Sequence, residues 1–258
     1  MSKQKTNSRK DGISAMYPNM YMKLRTVLLI LFIISDALYA QESFDQTKIS
    51  YSKQATQELE SFLTEQFNYF MVAHYARNSA FEKIIELIMA GADPNIQNKN
   101  GYTALMLAAF HSLAPIVQQL IMLGADPNIQ NNAYLGGDTA LIYATMQGDI
   151  NNVRILFEND SDPNIQNFYG ETALWWAARI GYSNIALLLL EHGADPNIRT
   201  LHGDTALIKA VKNSRTEVVK ILLAHDADPN IAKNNGDTAL AIAYQKGYQD
   251  IINLLTKV

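Results

Sequence analysis

The tetrapeptide Asp-Pro-Asn-Ile occurs five times in this chain, at intervals of 33, 36, 33 and 33 residues. A fixed period of about 20 to 50 residues is typical of solenoid proteins, in which each unit buries its apolar face only against its neighbours. The period therefore predicts a linear array of stacked units, which offers a long surface and no enclosed pocket. The motif begins at Asp93, Asp126, Asp162, Asp195 and Asp228.

Each repeat contains the signals of two helices. A polar stretch with a glycine follows Asp-Pro-Asn-Ile and leads to Thr-Ala-Leu. Threonine is a good N-cap, because its hydroxyl accepts a hydrogen bond from the free N–H groups of the first helical turn. The first helix is short and rich in alanine, and the second, for example residues 218–223, has apolar residues at helical spacing. The capping threonines are Thr103, Thr139, Thr172, Thr205 and Thr238.

This unit resembles the ankyrin repeat, whose family pattern runs Gly-x-Thr-Pro-Leu-His-x-Ala-Ala and closes with Gly-Ala-Asp-Pro/Val-Asn. The resemblance covers roughly residues 63–258 and implies an all-α ankyrin-repeat solenoid of about six helix–turn–helix units joined by β-hairpin-like loops. Residues 70–90 lack Thr-Ala-Leu and are predicted to form an N-terminal capping unit with a helix–turn–helix pattern. The family proline is alanine here, and the family histidine is replaced by Met106, Ile142, Trp175, Ile208 and Ala241.

A second feature lies upstream, at residues 22–40. Two basic residues precede an apolar run at residues 27–34, and small residues follow, in the order typical of a secretory signal peptide. The run is too short to span a bilayer comfortably. We therefore expect an exported protein, periplasmic or extracellular, with cleavage after either Ala37 or Ala40.

The rest of the organisation follows from these two features. Residues 1–21 are a polar leader, which indicates either that translation begins at Met20 or Met22, or that the segment precedes an internal signal-anchor that leaves the protein tethered. Residues 41–62 are predicted to be a polar linker and the start of a capping helix. The ankyrin-repeat domain is predicted at residues 63–258.

Composition limits the compartment and the partners. The chain has no cysteine, which excludes disulfides, thiol catalysis and lipid attachment through a cysteine, and which suits an oxidising compartment such as a bacterial periplasm. The formal net charge is −4, and residues 41–258 carry 15 Lys and Arg against 23 Asp and Glu. Because a polyanion would be repelled, we expect no nucleic-acid partner.

We find no motif for catalysis, for a cofactor or for a metal. His192 and His225 are 33 residues apart near the ends of second helices. A helix C-terminus favours a cationic or hydrogen-bonding histidine there over a metal ligand. The aspartates of Asp-Pro-Asn are typical turn residues. The sequence thus predicts a non-catalytic protein without a cofactor, and the alternative is an enzyme or metal-binding protein on an ankyrin scaffold.

The resemblance implies a protein-binding surface. In ankyrin-like stacks the hairpin tips and the exposed side of each first helix form a concave face, whose variable positions contact the partner. The position two residues after Thr-Ala-Leu is expected to face outward, and it holds Leu107, Tyr143, Trp176, Lys209 and Ile242.

Aromatic residues and arginine are common anchors of protein interfaces, and they concentrate in the central units. We expect a monomer that binds another protein of unknown identity, with no membrane span after signal cleavage. The alternative is a secreted effector that acts on host proteins. The candidate protein-binding residues are Tyr102, Phe110, Tyr134, Tyr143, Met146, Phe168, Tyr169, Trp176, Arg179, His202 and Lys209.

A ladder of acidic residues precedes the capping threonines. It predicts an acidic strip across the groove from Arg179, Lys209 and Lys212, which favours a partner with basic groups. Acid at the start of a helix and base at its end also suit the helix dipole, and this explanation stays open. The strip consists of Asp138, Glu171, Asp204 and Asp237.

Overall fold

The computed structural model of the 258-residue chain describes residues 44–68, 74–132 and 136–257. The chain divides after Tyr51 into two units. The described part of the first unit, residues 44–51, is the start of a helix, and the repeats lie in the second unit. The described residues form helices and connecting loops, with no strand among them.

Two longer helices, α1 (Phe44–Asn68) and α2 (His74–Met89), precede five pairs of short helices. Each pair follows one Thr-Ala-Leu motif, so the pairs correspond to the predicted repeats. The first helices of the pairs are α3 (Ala104–Phe110), α5 (Ala140–Met146), α7 (Ala173–Ile180), α9 (Ala206–Lys212) and α11 (Ala239–Lys246), and the second helices are α4 (Ala114–Met122), α6 (Ile150–Phe157), α8 (Ser183–Glu191), α10 (Thr216–Ala224) and α12 (Gln249–Leu255).

First helices stack on first helices, and second helices stack on second helices. Fully buried alanines such as Ala108, Ala144 and Ala177 let neighbouring first helices approach closely, while Leu156 and Leu189 fill the space beneath the second helices. Each unit therefore completes its core only against the next unit, as expected for a solenoid. The predicted all-α array of helix pairs is confirmed.

The capping threonines bond the first helical turns as predicted. The Thr172 hydroxyl accepts from the backbone N–H of Trp175 at 3.2 Å. Thr103, Thr139, Thr205 and Thr238 make the same contact with the residue three positions later. These hydroxyls satisfy N–H groups that the helix itself leaves without a partner.

The Asp-Pro-Asn motif joins each repeat to the next. The Asp162 carboxylate accepts from the backbone N–H of Asn164 at 2.8 Å, which closes a turn within the motif. The Asn164 amide then accepts from the backbone N–H of Asp195 at 2.8 Å and donates to the carbonyl of Gly193 at 3.0 Å. The aspartates are thus turn residues as predicted, and the asparagines connect neighbouring repeats. Equivalent inter-repeat contacts are made by Asn95, Asn128 and Asn197.

The hairpin-like loops are also bonded to one another through their main chains. The backbone N–H of Leu201 donates to the carbonyl of Tyr169 at 2.9 Å. Between them, Gly170 has a φ of +77°, and a Cβ there would lie 2.9 Å from the Cα of Thr200. Glycine therefore permits the close approach of these two loops. The same main-chain contact joins Phe168 to Gly136 and Asn234 to His202.

The N-terminal unit differs from the expected pattern. Helix α2 runs unbroken from His74 to Met89, so the helix–turn–helix pattern predicted within residues 70–90 is wrong. The physical reason is local, because α2 contains no glycine or proline to end a helix and no Thr-Ala-Leu to start a second one.

Helix α1 supplies the other half of this unit. Leu59 and Leu63 are fully buried, and they join the core of the repeats. The Ser52 hydroxyl donates to the carbonyl of Gly91 at 2.6 Å. Helices α1 and α2 therefore cover the face that the first Thr-Ala-Leu repeat would otherwise leave open.

The predicted signal peptide at residues 22–40 lies outside the described residues, as does Tyr134. Within residues 44–68, 74–132 and 136–257, no helix combines the length and the apolar character that crossing a bilayer requires.

Candidate functional site

A groove with a volume of about 490 Å³ runs along three consecutive hairpins and the exposed side of two first helices. Helix α7 contributes Trp175 and Arg179, and α9 contributes Lys209 and Lys212. The hairpins add Tyr169, Glu171, His202, Asp204 and Lys233. The walls are therefore aromatic and charged, and they include four cationic side chains against two carboxylates.

Two of these cations lie over tryptophan rings. The guanidinium carbon of Arg179 is 4.6 Å from the ring centre of Trp176 and 5.8 Å from that of Trp175. The ammonium nitrogen of Lys209 is 4.2 Å from the ring centre of Trp175. The two indoles meet edge to face, with ring centres 5.5 Å apart. Cation–π contacts position both charges without neutralising them.

Neither Arg179 nor Lys209 forms an ion pair with a carboxylate of the described residues. Burial is the main effect that lowers the pKa of Lys209, and the neighbouring charges of Lys212 and Arg179 lower it further. The charges of Asp204 and Glu171 raise the pKa of Lys209, but they do not outweigh its lowering by burial and by the two cations. The groove thus carries uncompensated positive charge.

The carboxylate of Asp204 already contacts other side chains of the protein. Its side chain is only 7% exposed, with one carboxylate oxygen 3.2 Å from the ammonium of Lys212 and the other 3.7 Å from that of Lys233. The shorter contact is a charge-assisted hydrogen bond, and the longer one is an ion pair without a hydrogen bond. Asp204 therefore neutralises part of the lysine charge and offers little to a ligand.

Two further carboxylates share one amide. The Asn167 side chain donates to Asp138 at 2.9 Å and to Glu171 at 3.2 Å. Burial raises the pKa of both carboxyl groups, and the hydrogen bonds from Asn167 oppose this rise. A hydrogen bond between Asp138 and Tyr143 also opposes the rise in the pKa of Asp138.

The acidic strip is consequently not the surface that the sequence suggested. Arg179, Lys209 and Lys212 do face it, as predicted. Asp204, however, is paired with two lysines, and Asp138 and Glu171 share the amide of Asn167, so the groove keeps four cationic side chains against two carboxylates. The charges of this groove therefore do not support a partner with basic groups there, because a carboxylate that is partly buried and already bonded attracts a further cation only weakly.

Apolar side chains are exposed on the hairpin tips beside the groove. Phe168 is 52% exposed, Tyr169 is 40% exposed and Leu201 is 66% exposed. His202 is exposed next to Leu201 and lines the groove. Because the two loops are hydrogen-bonded to each other, these side chains form one apolar edge of the groove.

The N-terminal part of the predicted site is packed together instead. Tyr143 is only 6% exposed, and its hydroxyl accepts a hydrogen bond from the buried amide of Asn131. Its ring lies 5.9 Å from that of Tyr102 and 5.8 Å from that of Phe110, both of which are partly buried. The prediction that Tyr143 faces outward as an interface anchor is therefore wrong.

The other residues at this helical position differ in their exposure. Leu107 and Ile242 are buried, whereas Trp176 and Lys209 are partly exposed. Neighbouring first helices pack closely enough through their alanines to cover an ordinary side chain at this position. Lys209 lines the groove and Trp176 lies beneath Arg179, whereas Tyr143 packs against Tyr102 and Phe110.

Among the predicted site residues, Tyr169, Arg179, His202 and Lys209 line the groove together. Phe168 is on its edge, Trp176 lies beneath Arg179, and Met146 is partly exposed at the end of α5. The prediction missed Trp175, which occupies the family histidine position. Its sequence signal was the size of an indole where the other repeats have smaller residues.

The histidines near the second-helix ends take part in ordinary contacts. The Nδ1 atom of His192 is 2.9 Å from the carbonyl oxygen of Leu188, and the ring stacks on Phe157 with 4.4 Å between centres. In the part of the chain that the structure describes, no group of three or more His, Cys, Asp or Glu residues has a metal-binding arrangement.

Family models identify the repeats independently. A model described as ankyrin repeats (3 copies) matches residues 70–167 and 108–200, and one described as ankyrin repeats (many copies) matches residues 189–243. None of the curated proteins compared with the chain matches it. Ankyrin repeats are scaffolds for protein–protein interaction and are generally non-catalytic. The matched residues make up more than half of the chain, which therefore belongs to the ankyrin-repeat family.

Proposed function

We propose that this protein is an exported, non-catalytic scaffold that binds a partner protein through the face formed by its hairpin tips and first helices. This is the concave face of ankyrin-like stacks. The observation that carries the proposal is the groove between α7 and α9, with Phe168, Tyr169 and Leu201 exposed along its edge.

The composition of this surface favours a protein interface. Exposed aromatic side chains and arginine are the residue types that contribute most to binding energy at such interfaces. Trp175 and Trp176 hold Arg179 and Lys209 in place through cation–π contacts, so binding orders fewer side chains. An apolar edge beside charged groups also suits a partner that offers an apolar side chain next to a polar one.

The support for export comes from residues 22–40. Two basic residues, a short apolar run and small residues follow one another there, as in a secretory signal peptide. The absence of cysteine agrees with an oxidising destination. The partner is then a periplasmic protein, or a protein that is anchored in a membrane and faces the same compartment.

Site-specific photo-crosslinking in the native host tests the binding face. A photoreactive phenylalanine analogue replaces Tyr169 in the groove, and the matched control replaces Arg154, which is exposed on the second helix α6. We expect one discrete crosslinked protein at position 169 and none at position 154. Equal crosslinking at both positions, or crosslinking only at position 154, would contradict the assignment of the face.

Cell fractionation with mass spectrometry of the N-terminus tests export. We expect the mature chain to begin at Leu38 or Gln41 and to be recovered in the periplasm or the medium. Recovery from the cells of another organism would instead favour an effector that acts on host proteins. A full-length chain in the cytoplasm would refute export, and the binding face would then be tested against cytosolic proteins.

A further inference from the structure

We propose that the groove between α7 and α9 binds an acidic segment of the partner protein, with an Asp, Glu or C-terminal carboxylate placed beside Arg179 and Lys209. This inference rests on the proposed function and adds the chemistry of the partner.

The first argument is the charge that the fold leaves unmatched. Four cationic side chains line the groove, and of the two carboxylates there Asp204 is paired with Lys212 and Lys233. Arg179 and Lys209 have no such pair within the described residues. The surrounding chain is acidic overall, so this cationic groove differs in sign from the rest of the molecule.

The second argument is preorganisation. Arg179 lies over Trp176, and Lys209 lies over Trp175, at 4.6 Å and 4.2 Å from the ring centres. Both cations lie against the same indole, at 5.8 Å and 4.2 Å from the ring centre of Trp175, and charge-assisted hydrogen bonds from such groups to a carboxylate are the stronger ones. Little side-chain entropy would be lost on binding, because the indoles already restrict both side chains.

The third argument is the mutual repulsion of the cations. Lys212 and Arg179 both disfavour the charged form of Lys209, which is also partly desolvated. A carboxylate in the groove would relieve this repulsion and favour the charged form of Lys209. A cationic ligand would increase the repulsion, so the groove discriminates against basic segments.

The fourth argument separates a short acidic segment from a polyanion. Residues 41–258 carry 15 Lys and Arg against 23 Asp and Glu, so a long negative chain would be repelled outside the groove. The apolar edge formed by Phe168, Tyr169 and Leu201 favours a segment that combines acidic with apolar or aromatic residues.

The test is selection from a random peptide display library on the purified full chain. The selected peptides are then synthesised, and their affinities are measured by fluorescence anisotropy for the native chain and for variants. The groove variant is R179Q/K209Q, which removes two cations that form no ion pair with a carboxylate of the described residues. The matched control is K220Q, because Lys220 is exposed on α10 and pairs with Glu217 on the same helix.

We expect the selected peptides to be rich in Asp and Glu beside apolar residues. Their affinity should fall by at least about tenfold in R179Q/K209Q, should decrease as salt is added, and should be unchanged in K220Q. A second variant, K209M, keeps most of the packing on Trp175 and should also weaken binding. Circular dichroism spectra that match the native chain would show that each variant is folded.

Other outcomes would overturn the inference in distinguishable ways. Basic or uncharged peptides, or acidic peptides that bind R179Q/K209Q as tightly as the native chain, would refute the acidic segment while the binding scaffold remains. Tighter binding of a single-stranded oligothymidine than of any selected peptide would assign the groove to nucleic acid instead. A selection that enriches no peptide at all would refute the acidic segment, and the crosslink at position 169 would show separately whether the face binds a folded partner protein.

Discussion

The side-chain amide of Asn128 accepts a hydrogen bond from the backbone N–H of Asp162, which lies 34 residues later, at 2.8 Å. The same amide donates to the carbonyl of Asp160 at 3.0 Å. One side chain thus satisfies two backbone groups of the next repeat. The Asp-Pro-Asn motif is therefore repeated because each copy connects two units, in addition to forming its own turn.

We expect Asn128→Ala to lower the free energy of unfolding by about 1–2 kcal/mol, because two partly exposed inter-repeat hydrogen bonds are lost. Urea unfolding followed by circular dichroism measures the change. Asn184→Ala is the control, since Asn184 is exposed on α8 and alanine suits a helix. Equal stability of the two variants would show that the inter-repeat contact contributes nothing.

Asn152→Val should stabilise the protein by about 1–3 kcal/mol, because a desolvated amide is replaced by an apolar side chain. Asn152 is fully buried in α6, and neither atom of its side-chain amide has a hydrogen-bond partner among the described residues. The equivalent residues of neighbouring repeats are apolar and buried, as at Ile185 and Val218. Chemical denaturation of both chains gives the difference.

The matched control for this substitution is Asn151→Val, on the exposed side of the same helix. It should change the free energy of unfolding by no more than about 0.5 kcal/mol. A loss of stability in Asn152→Val would contradict this prediction and indicate that the buried amide stabilises the folded chain.

Tyr143→Ala should destabilise the protein by about 3–5 kcal/mol, as expected for an aromatic side chain removed from a packed core. The loss includes its contacts with Tyr102 and Phe110 and the hydrogen bond from Asn131. Tyr169→Ala, on the exposed hairpin tip, should cost no more than about 0.5 kcal/mol. Thermal and urea unfolding distinguish the two. If Tyr143→Ala leaves the free energy of unfolding unchanged, Tyr143 becomes a candidate for the binding surface again.

Asp138→Asn tests the buried carboxyl group through pH. Burial raises the pKa of Asp138 above its ordinary value of 3.8, so the folded state favours the protonated form. The stability that this group contributes is present below that ordinary value and is lost as the pH rises through the raised pKa. The native chain should therefore lose stability relative to Asp138→Asn as the pH rises above this ordinary value and through the raised pKa.

Urea midpoints of both chains at a series of pH values measure this difference. Asp237→Asn is the control, because Asp237 occupies the equivalent position in the last repeat, where its carboxylate accepts a hydrogen bond from Asn235 at 2.7 Å. A difference between the native chain and Asp138→Asn that is constant with pH would refute the shifted titration.

Much of the fold was predictable because its determinants are local. Thr172 caps α7, and Asp162 closes its own turn, through residues two or three positions away in the sequence. Such contacts recur in every repeat, so the residues that make them recur in the sequence with the same period. The exception is α2, where a helix continues through a predicted turn because no local signal stops it.

The binding site was predictable only in part. Tyr169, Arg179, His202 and Lys209 were identified because aromatic and charged residues at variable positions stand out from the repeat. Tyr143 was misassigned since its exposure depends on Tyr102 and Phe110, which belong to another unit. Trp175 was missed because a residue at a packing position can also contribute its ring face to a groove.

The sequence by itself determined the repeat length, the helix starts and the turns, since each follows from residues that contact one another within a single unit. The tertiary structure alone decided which side chains are exposed, which carboxylates are already paired, and where Arg179 and Lys209 lie over Trp176 and Trp175. The physical reason is that burial and ion pairing in a solenoid depend on the neighbouring unit, about 33 residues away, whose side chains vary independently of the motif that repeats.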